Sequence, residues 1–164
     1  MKIVITGGTL DKQYNPLNGE LIFNQSSVIE MLKQSRNTVS IDIESLMLKD
    51  SLEMDDEDRK LISKACYDSG DKKIIVTHGT DTMVETAHAI ASVLTEDLSS
   101  DKTVVLFGAM VPYQFKQSDA LFNFGCAMSA VQILPAGVYI TMNGQFFDYR
   151  EVNKNKAIGQ FVKS

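Results

Sequence analysis

This sequence predicts a three-layer α/β/α fold around a mostly parallel, doubly wound sheet, on three observations. Short β-branched apolar runs recur at residues 2–6, 38–44, 72–77, 103–107 and 137–141. Between them lie helical patterns at 26–35, 55–69, 82–94 and 118–133. A β-α-β-α succession of this kind calls for strands buried between helices on both faces, a sheet of Rossmann or flavodoxin-like type.

Taken in order, Lys2-Ile3-Val4-Ile5 is the first strand and runs into Thr6-Gly7-Gly8-Thr9, where paired glycines suit a tight turn with positive φ. Residues 10–24, with Pro16 and Gly19, resist either periodicity and read as a loop. Ser27-x-x-Glu30 has the capping-box form and starts the first helix. The cluster Glu53, Asp55, Asp56, Glu57 and Asp58 reads as an acidic first helical turn complementing the macrodipole, and Gly70 suits that helix's C′ position. Lys72-Lys73-Ile74-Ile75-Val76-Thr77 is a buried strand. After it, Met83, Val84, Ala87, Ile90, Ala91 and Leu94 fall at helical spacing behind a second capping-box pattern, Thr82-x-x-Glu85. Residues 108–117, with Pro112, form another loop after a strand, and 145–164 begin as a hairpin strand and then lose periodicity.

The bulk numbers bound the function. At 164 residues the chain reads as one domain, 1–164, large enough for a core without staples. Apolar content of 44% and charge content of 23% are ordinary globular values. A net charge of −5 with scattered Lys and Arg argues against nucleic acid, and no apolar run reaches the roughly 18 residues of a membrane span. Cys66 and Cys126 read as reduced thiols, and a chain that begins directly with a strand leaves no room for a leader; the expectation is cytoplasmic. His78 and His88 lack zinc-ligand spacing, so no metal site is expected, and the eight methionines read as core filler.

The chemistry concentrates at His78-Gly79-Thr80-Asp81-Thr82-Met83, where a strand ends and a helix begins. In open α/β sheets that junction is where ligands bind. Thr80 and Asp81 read either as helix-start residues or as a catalytic hydroxyl and a carboxylate for a substrate ammonium. His78 reads as a general base or as a buried hydrogen-bonding residue, with the second favoured. Thr6-Gly7-Gly8-Thr9 carries neither the dinucleotide nor the P-loop fingerprint; its glycines could bring backbone N–H groups to a substrate carbonyl while Thr9 offers a hydroxyl. By composition alone, Ser51 and Lys154 read as loop and surface.

Four segments in order resemble the N-terminal domain of the bacterial-type L-asparaginases, the asparaginase/glutaminase family. They are Thr6-Gly7-Gly8-Thr9-Leu10, Thr77-His78-Gly79-Thr80-Asp81-Thr82-Met83, Gly108-Ala109-Met110-Val111-Pro112 and Asp148-Tyr149-Arg150-Glu151-Val152-x-Lys154. Val111 replaces the family's arginine, and Leu52 stands where a polar residue is usual. The resemblance implies hydrolysis of asparagine or a related small amide without a cofactor. Thr9 then matches the nucleophile, Thr80 and Lys154 the pair that adjusts hydroxyl and water reactivity, and Tyr14 the catalytic tyrosine. Asp81 matches the residue that holds the substrate's amino group and Ser51 the one that binds its carboxylate, with Gly8 and Gly79 also at the substrate and backbone N–H groups near Thr9 and Thr80 meeting the oxyanion. It also implies a homo-oligomer and a missing C-terminal domain. Two rival readings stand: a small amino-acid or amide sensor without turnover, and an interaction domain that keeps the fold.

Overall fold

The computed structural model describes residues 1–97 and 100–164. Six strands form its main sheet, in the spatial order β4 (Asp42–Lys49), β1 (Lys2–Gly7), β5 (Lys73–Thr77), β6 (Thr103–Phe107), β7 (Gly137–Met142) and β8 (Gln145–Asp148). Every pairing is parallel except β7 with β8. Two small antiparallel hairpins lie outside it: β2 (Lys12–Tyr14) with β3 (Leu21–Phe23), and β9 (Val152–Asn155) with β10 (Gln160–Lys163).

Side-chain alternation along the strands builds the layers. Val4, Ile74, Val76, Val104 and Leu106 pack against α2 (Asp56–Asp68) and α3 (Met83–Glu96). Their neighbours Ile3, Ile5, Ile75, Val105 and Phe107 pack on the other face with α1 (Val28–Gln34) and α4 (Ala120–Ile133). With both faces covered, the inner strands β1, β5 and β6 have no wet side, which is why they read as continuous apolar runs. Each fully buried Ile, Val or Phe contributes about 1.5–3 kcal/mol from the apolar surface it removes from water.

Counting only the parallel strands in chain order, the arrangement is 2-1-3-4-5. From β1 the chain goes to one neighbour, β4, and then returns past it to the other, β5. Between the carboxyl ends of β1 and β5 the connections leave in opposite directions and open a crevice, the usual ligand position in such sheets. The turns after these two strands carry Thr9 and Thr80.

Several boundaries differ from the sequence-based expectation. The strand expected at 38–44 is Asp42–Lys49. Asn37 folds the approach into a local turn, bonding the Val39 carbonyl and N–H through its side chain, and β4 must run on to pair Lys49 with Gly7. Neither expected capping box forms at Ser27 or Thr82, because neither side chain caps its helix. The box forms instead on α2, between Asp55 and Asp58. Gly70 does follow α2, but its φ is not positive. The expected loop at 10–24 contains the β2–β3 hairpin, and the end of the chain holds the β9–β10 hairpin. Both free cysteines are as expected, with Cys66 buried. Among the described residues no helix is long and apolar enough to cross a membrane.

Candidate active site

Glycine lets the two threonine turns touch. Gly7 and Gly8 adopt φ of 94° and 92°, which L side chains rarely tolerate. A Cβ on Gly8 would lie 2.4 Å from the Gly79 nitrogen, so any side chain there would push the turns apart. Gly79 is as tightly placed, since its Cβ would lie 2.5 Å from Ser51 Oγ. Thr82 adds to the contact by donating its hydroxyl to the Ser51 carbonyl at 2.8 Å rather than capping α3. Beneath, the Thr6 hydroxyl donates to the Thr77 carbonyl at 2.5 Å, and Thr77 Oγ1 accepts from the Thr6 N–H at 3.0 Å. Gly8, Gly79 and Ser51 therefore pack together, setting the turns that carry Thr9 and Thr80 side by side.

Thr80 is held most firmly. It is 5% exposed, and Lys154 Nζ donates to its Oγ1 at 2.7 Å and to Asp81 Oδ1 at 2.8 Å. Lys154 reaches them from β9, where alternation turns Val152 and Lys154 inward; its side chain is only 9% exposed. The hairpin is anchored by buried Phe161, whose N–H donates to Asn143 Oδ1. Gly108 lets the third turn approach as well, because its Cβ would meet His78 O at 2.3 Å and Thr80 Cγ2 at 3.2 Å. There the Thr80 hydroxyl donates to Met110 Sδ at 3.6 Å. Asp119 fixes this turn by accepting from the N–H groups of Met110 and Val111 and from Asn123 Nδ2.

His78 is a support, not a base. It is fully buried, with Nδ1 2.7 Å from the Gly79 carbonyl and Nε2 2.8 Å from Thr86 Oγ1. A carbonyl only accepts, so Nδ1 carries the proton and Thr86 donates to Nε2. Burial pushes the imidazole down to about 4, against the upward pull of the Gly79 bond.

Thr9 lies on the other side of the glycine contact, in a 3-10 turn Thr9–Asp11, half-buried and without a side-chain hydrogen bond among the described residues. Asp11 in that turn is completely buried. Its Oδ1 accepts from Ser26 Oγ at 2.9 Å and the Ser27 N–H at 2.7 Å, while Oδ2 has no partner among the described residues. Burial pushes this carboxyl up to about 6 despite those bonds. Beyond the turn, Lys12 pairs with Asp50, the residue before Ser51. Tyr14, at the end of β2, is 55% exposed, and no hydrogen bond joins it to Thr9, Thr80 or Lys154 among the described residues.

Sequence reasoning missed Asp11, Asp119 and the contact made by Met110. None has a local pattern that separates it from a loop acid or a core methionine. Lys154 did carry a signal, the inward alternation Val152-x-Lys154. A cavity of about 520 Å³ elsewhere, between α2 and α3, is lined by Arg59, Lys60 and Lys64. Those cations are already paired with Asp56, Glu57 and Asp68, whereas the threonine turns bring unlike reactive groups together.

Residues 1–160 match the family model described as Asparaginase, N-terminal. The chain belongs to that asparaginase family. Among curated relatives it is 31% identical to a probable periplasmic L-asparaginase of Haemophilus influenzae, over 93% of this chain and 45% of the relative. It is 29% identical to a glutamyl-tRNA(Gln) amidotransferase polypeptide of Archaeoglobus fulgidus, over 90% of this chain and 35% of that one. Among solved structures, the probable cytoplasmic L-asparaginase of Campylobacter jejuni superposes with a TM-score of 0.77 at 29% identity, covering 99% of this chain and 50% of that one. The thermostable L-asparaginase of Thermococcus kodakarensis reaches a TM-score of 0.83 at 23% identity and shares the fold. The chain thus spans about half the length of these relatives, or less. The four segments that resemble the family carry the Thr9, Thr80 and Met110 turns and Lys154.

Proposed function

We propose that the chain is an asparaginase-type amidohydrolase that cleaves asparagine or a related small amide to acid and ammonia. The observation that carries this reading is the lysine bridge, with Lys154 Nζ donating at once to Thr80 Oγ1 and Asp81 Oδ1. In this reading Thr9 Oγ attacks the amide carbon and forms an ester, the C–N bond breaks, and ammonia leaves with the threonine proton. Water then cleaves the ester and returns a proton to Thr9. A threonine hydroxyl is a poor nucleophile unaided. The Lys154 ammonium, acting through Thr80, stabilises negative charge on the Thr80 oxygen as protons pass. N–H groups at the Gly8 and Gly79 turns meet the carbonyl oxygen.

Asp81 keeps about a third of its side chain open beside its bond to Lys154, which suits a substrate ammonium. Ser51, buried against Gly79, is the residue that the family resemblance assigns to a substrate carboxylate. Tyr14 enters as an exposed hydroxyl on the hairpin next to Thr9. Both named kinds of relative, L-asparaginase and amidotransferase, support an amide as the substrate class. Self-association belongs to the same reading, because Leu17, Leu21 and Ile22 on the hairpin and Ile29 on α1 are exposed apolar side chains.

The test is ammonia release from asparagine, glutamine and a panel of small amides by the wild-type chain. Release that disappears in Thr9→Ala supports the proposal, and no release from any amide sinks it. In that event, a rise in melting temperature with aspartate or asparagine would favour a sensor, since a ligand that binds only the native state must stabilise it. If self-association completes the site, specific activity falls on dilution.

A further inference from the structure

Seven of the eight methionines fit the role of core filler, being buried or half-buried; Met110 alone is exposed, at 40%. It is also the one whose sulfur accepts the Thr80 hydroxyl, at 3.6 Å. The same threonine oxygen accepts from Lys154 Nζ at 2.7 Å. Met110 does not wander from this place. Its N–H is held by both Asp119 oxygens at 3.0 and 3.1 Å, and its Cε lies 3.2 Å from where a Gly159 Cβ would stand, on the turn of the lysine hairpin. A part-exposed methionine thus places its thioether against the hydroxyl–ammonium pair.

We propose that Met110 is an oxidation site through which peroxides switch off the Thr80–Lys154 pair. A hydroperoxide gives one oxygen to the sulfur as its O–O bond breaks; the sulfur loses two electrons, and the peroxide leaves as water or an alcohol. A thioether is a weak acceptor, whereas a sulfoxide is polar and accepts strongly. The new oxygen sits one bond from a sulfur already in contact with Thr80, within reach of the hydroxyl proton and of the ammonium beyond it. Either bond diverts a group from the substrate. Met31 and Met83, at 0% exposure, serve as internal controls. The inference rests on the proposed hydrolysis for its activity readout alone.

The test treats wild type and Met110→Leu with hydrogen peroxide and normalises each to its own untreated value. Peptide mass spectrometry follows each methionine, and ammonia release and the acetylation rate of Lys154 by acetic anhydride are read in parallel. Met110 should oxidise about tenfold faster than Met31 or Met83, given its exposure. Wild-type activity should fall about tenfold in step with the sulfoxide, and the Lys154 rate should shift by about twofold or more, as expected when a strong acceptor replaces a weak one. Met110→Leu should keep both rates, and methionine sulfoxide reductase should restore the wild type. The proposal is overturned if Met110 oxidises no faster than the buried pair, if complete conversion leaves both rates unchanged, or if Met110→Leu decays as fast as wild type. If untreated protein releases no ammonia, the hydrolase reading fails by itself and the Lys154 rate decides this one.

Discussion

Thr80 and Thr9 flank the same Gly8–Gly79 contact, yet Thr80 is 5% exposed and bonded to both Lys154 and Met110, while Thr9 is half-buried with a free hydroxyl among the described residues. The turns beneath them differ as well. The Thr80 turn rests on His78, a buried imidazole driven towards its neutral form, and the Thr9 turn on Asp11, a buried carboxyl driven towards its neutral form. One side is fixed before any ligand arrives, and the other keeps its reactive atom unspent. In the proposed hydrolysis, a site divided in this way would hold its proton-handling groups in place and leave the attacking oxygen to find the substrate.

The largest expected effect comes from the free side. Thr9→Ala should lower ammonia release on the order of a thousandfold or more, the scale seen when a nucleophile is deleted. Its melting curve should stay within about 1 kcal/mol of wild type, because no buried bond is lost. Thr80→Val should move both quantities. The variant leaves Lys154 without its hydroxyl acceptor, at a cost of about 1–3 kcal/mol, and turnover should fall on the order of a hundredfold. If Thr9→Ala destabilises more than Thr80→Val, the division is wrong.

The buried acid and base make opposite contributions to acid stability. The Asp11 pKa is raised in the fold, so its contribution is complete below the unfolded value near 4 and is lost as pH rises through about 6. The His78 pKa is depressed, so its contribution is complete above 6.5 and is lost as pH falls towards about 4. Each is worth up to about 3 kcal/mol across that window, and in the wild type they oppose one another. Urea midpoints for Asp11→Asn should therefore climb with pH between about 4 and 6, and those for His78→Gln should decline. Parallel profiles in the two variants would remove the contrast. The smallest effect is assigned to Tyr14→Phe: a drop of about tenfold or less in turnover with no change in melting, as suits an exposed residue.

The sheet was legible because buried strands leave apolar runs that no helix period explains, and the inner strands β1, β5, β6 and β7 follow from them. Its edges were not. Asn37 competes for the backbone before β4 through its side chain, and nothing in 38–44 records that the strand must reach Lys49 to pair with Gly7. The capping boxes at Ser27 and Thr82 failed for a related reason. Thr82 spends its hydroxyl on the Ser51 carbonyl, and the Ser27 N–H that Glu30 would have bonded goes to Asp11, while the Ser27 hydroxyl is buried without a partner among the described residues. Within the site, the paired glycines Gly7 and Gly8 announced a tight turn, but Asp11 and Met110 gain their meaning only from residues far along the chain.

The most direct test of the division between the two threonines is to trap the intermediate. Wild-type protein turning over a good amide is quenched in acid, digested and mapped by mass spectrometry. The account predicts an acyl group on the peptide that carries Thr9, none on the peptide that carries Thr80, and no adduct in Thr9→Ala. An acyl group on Thr80 would contradict it.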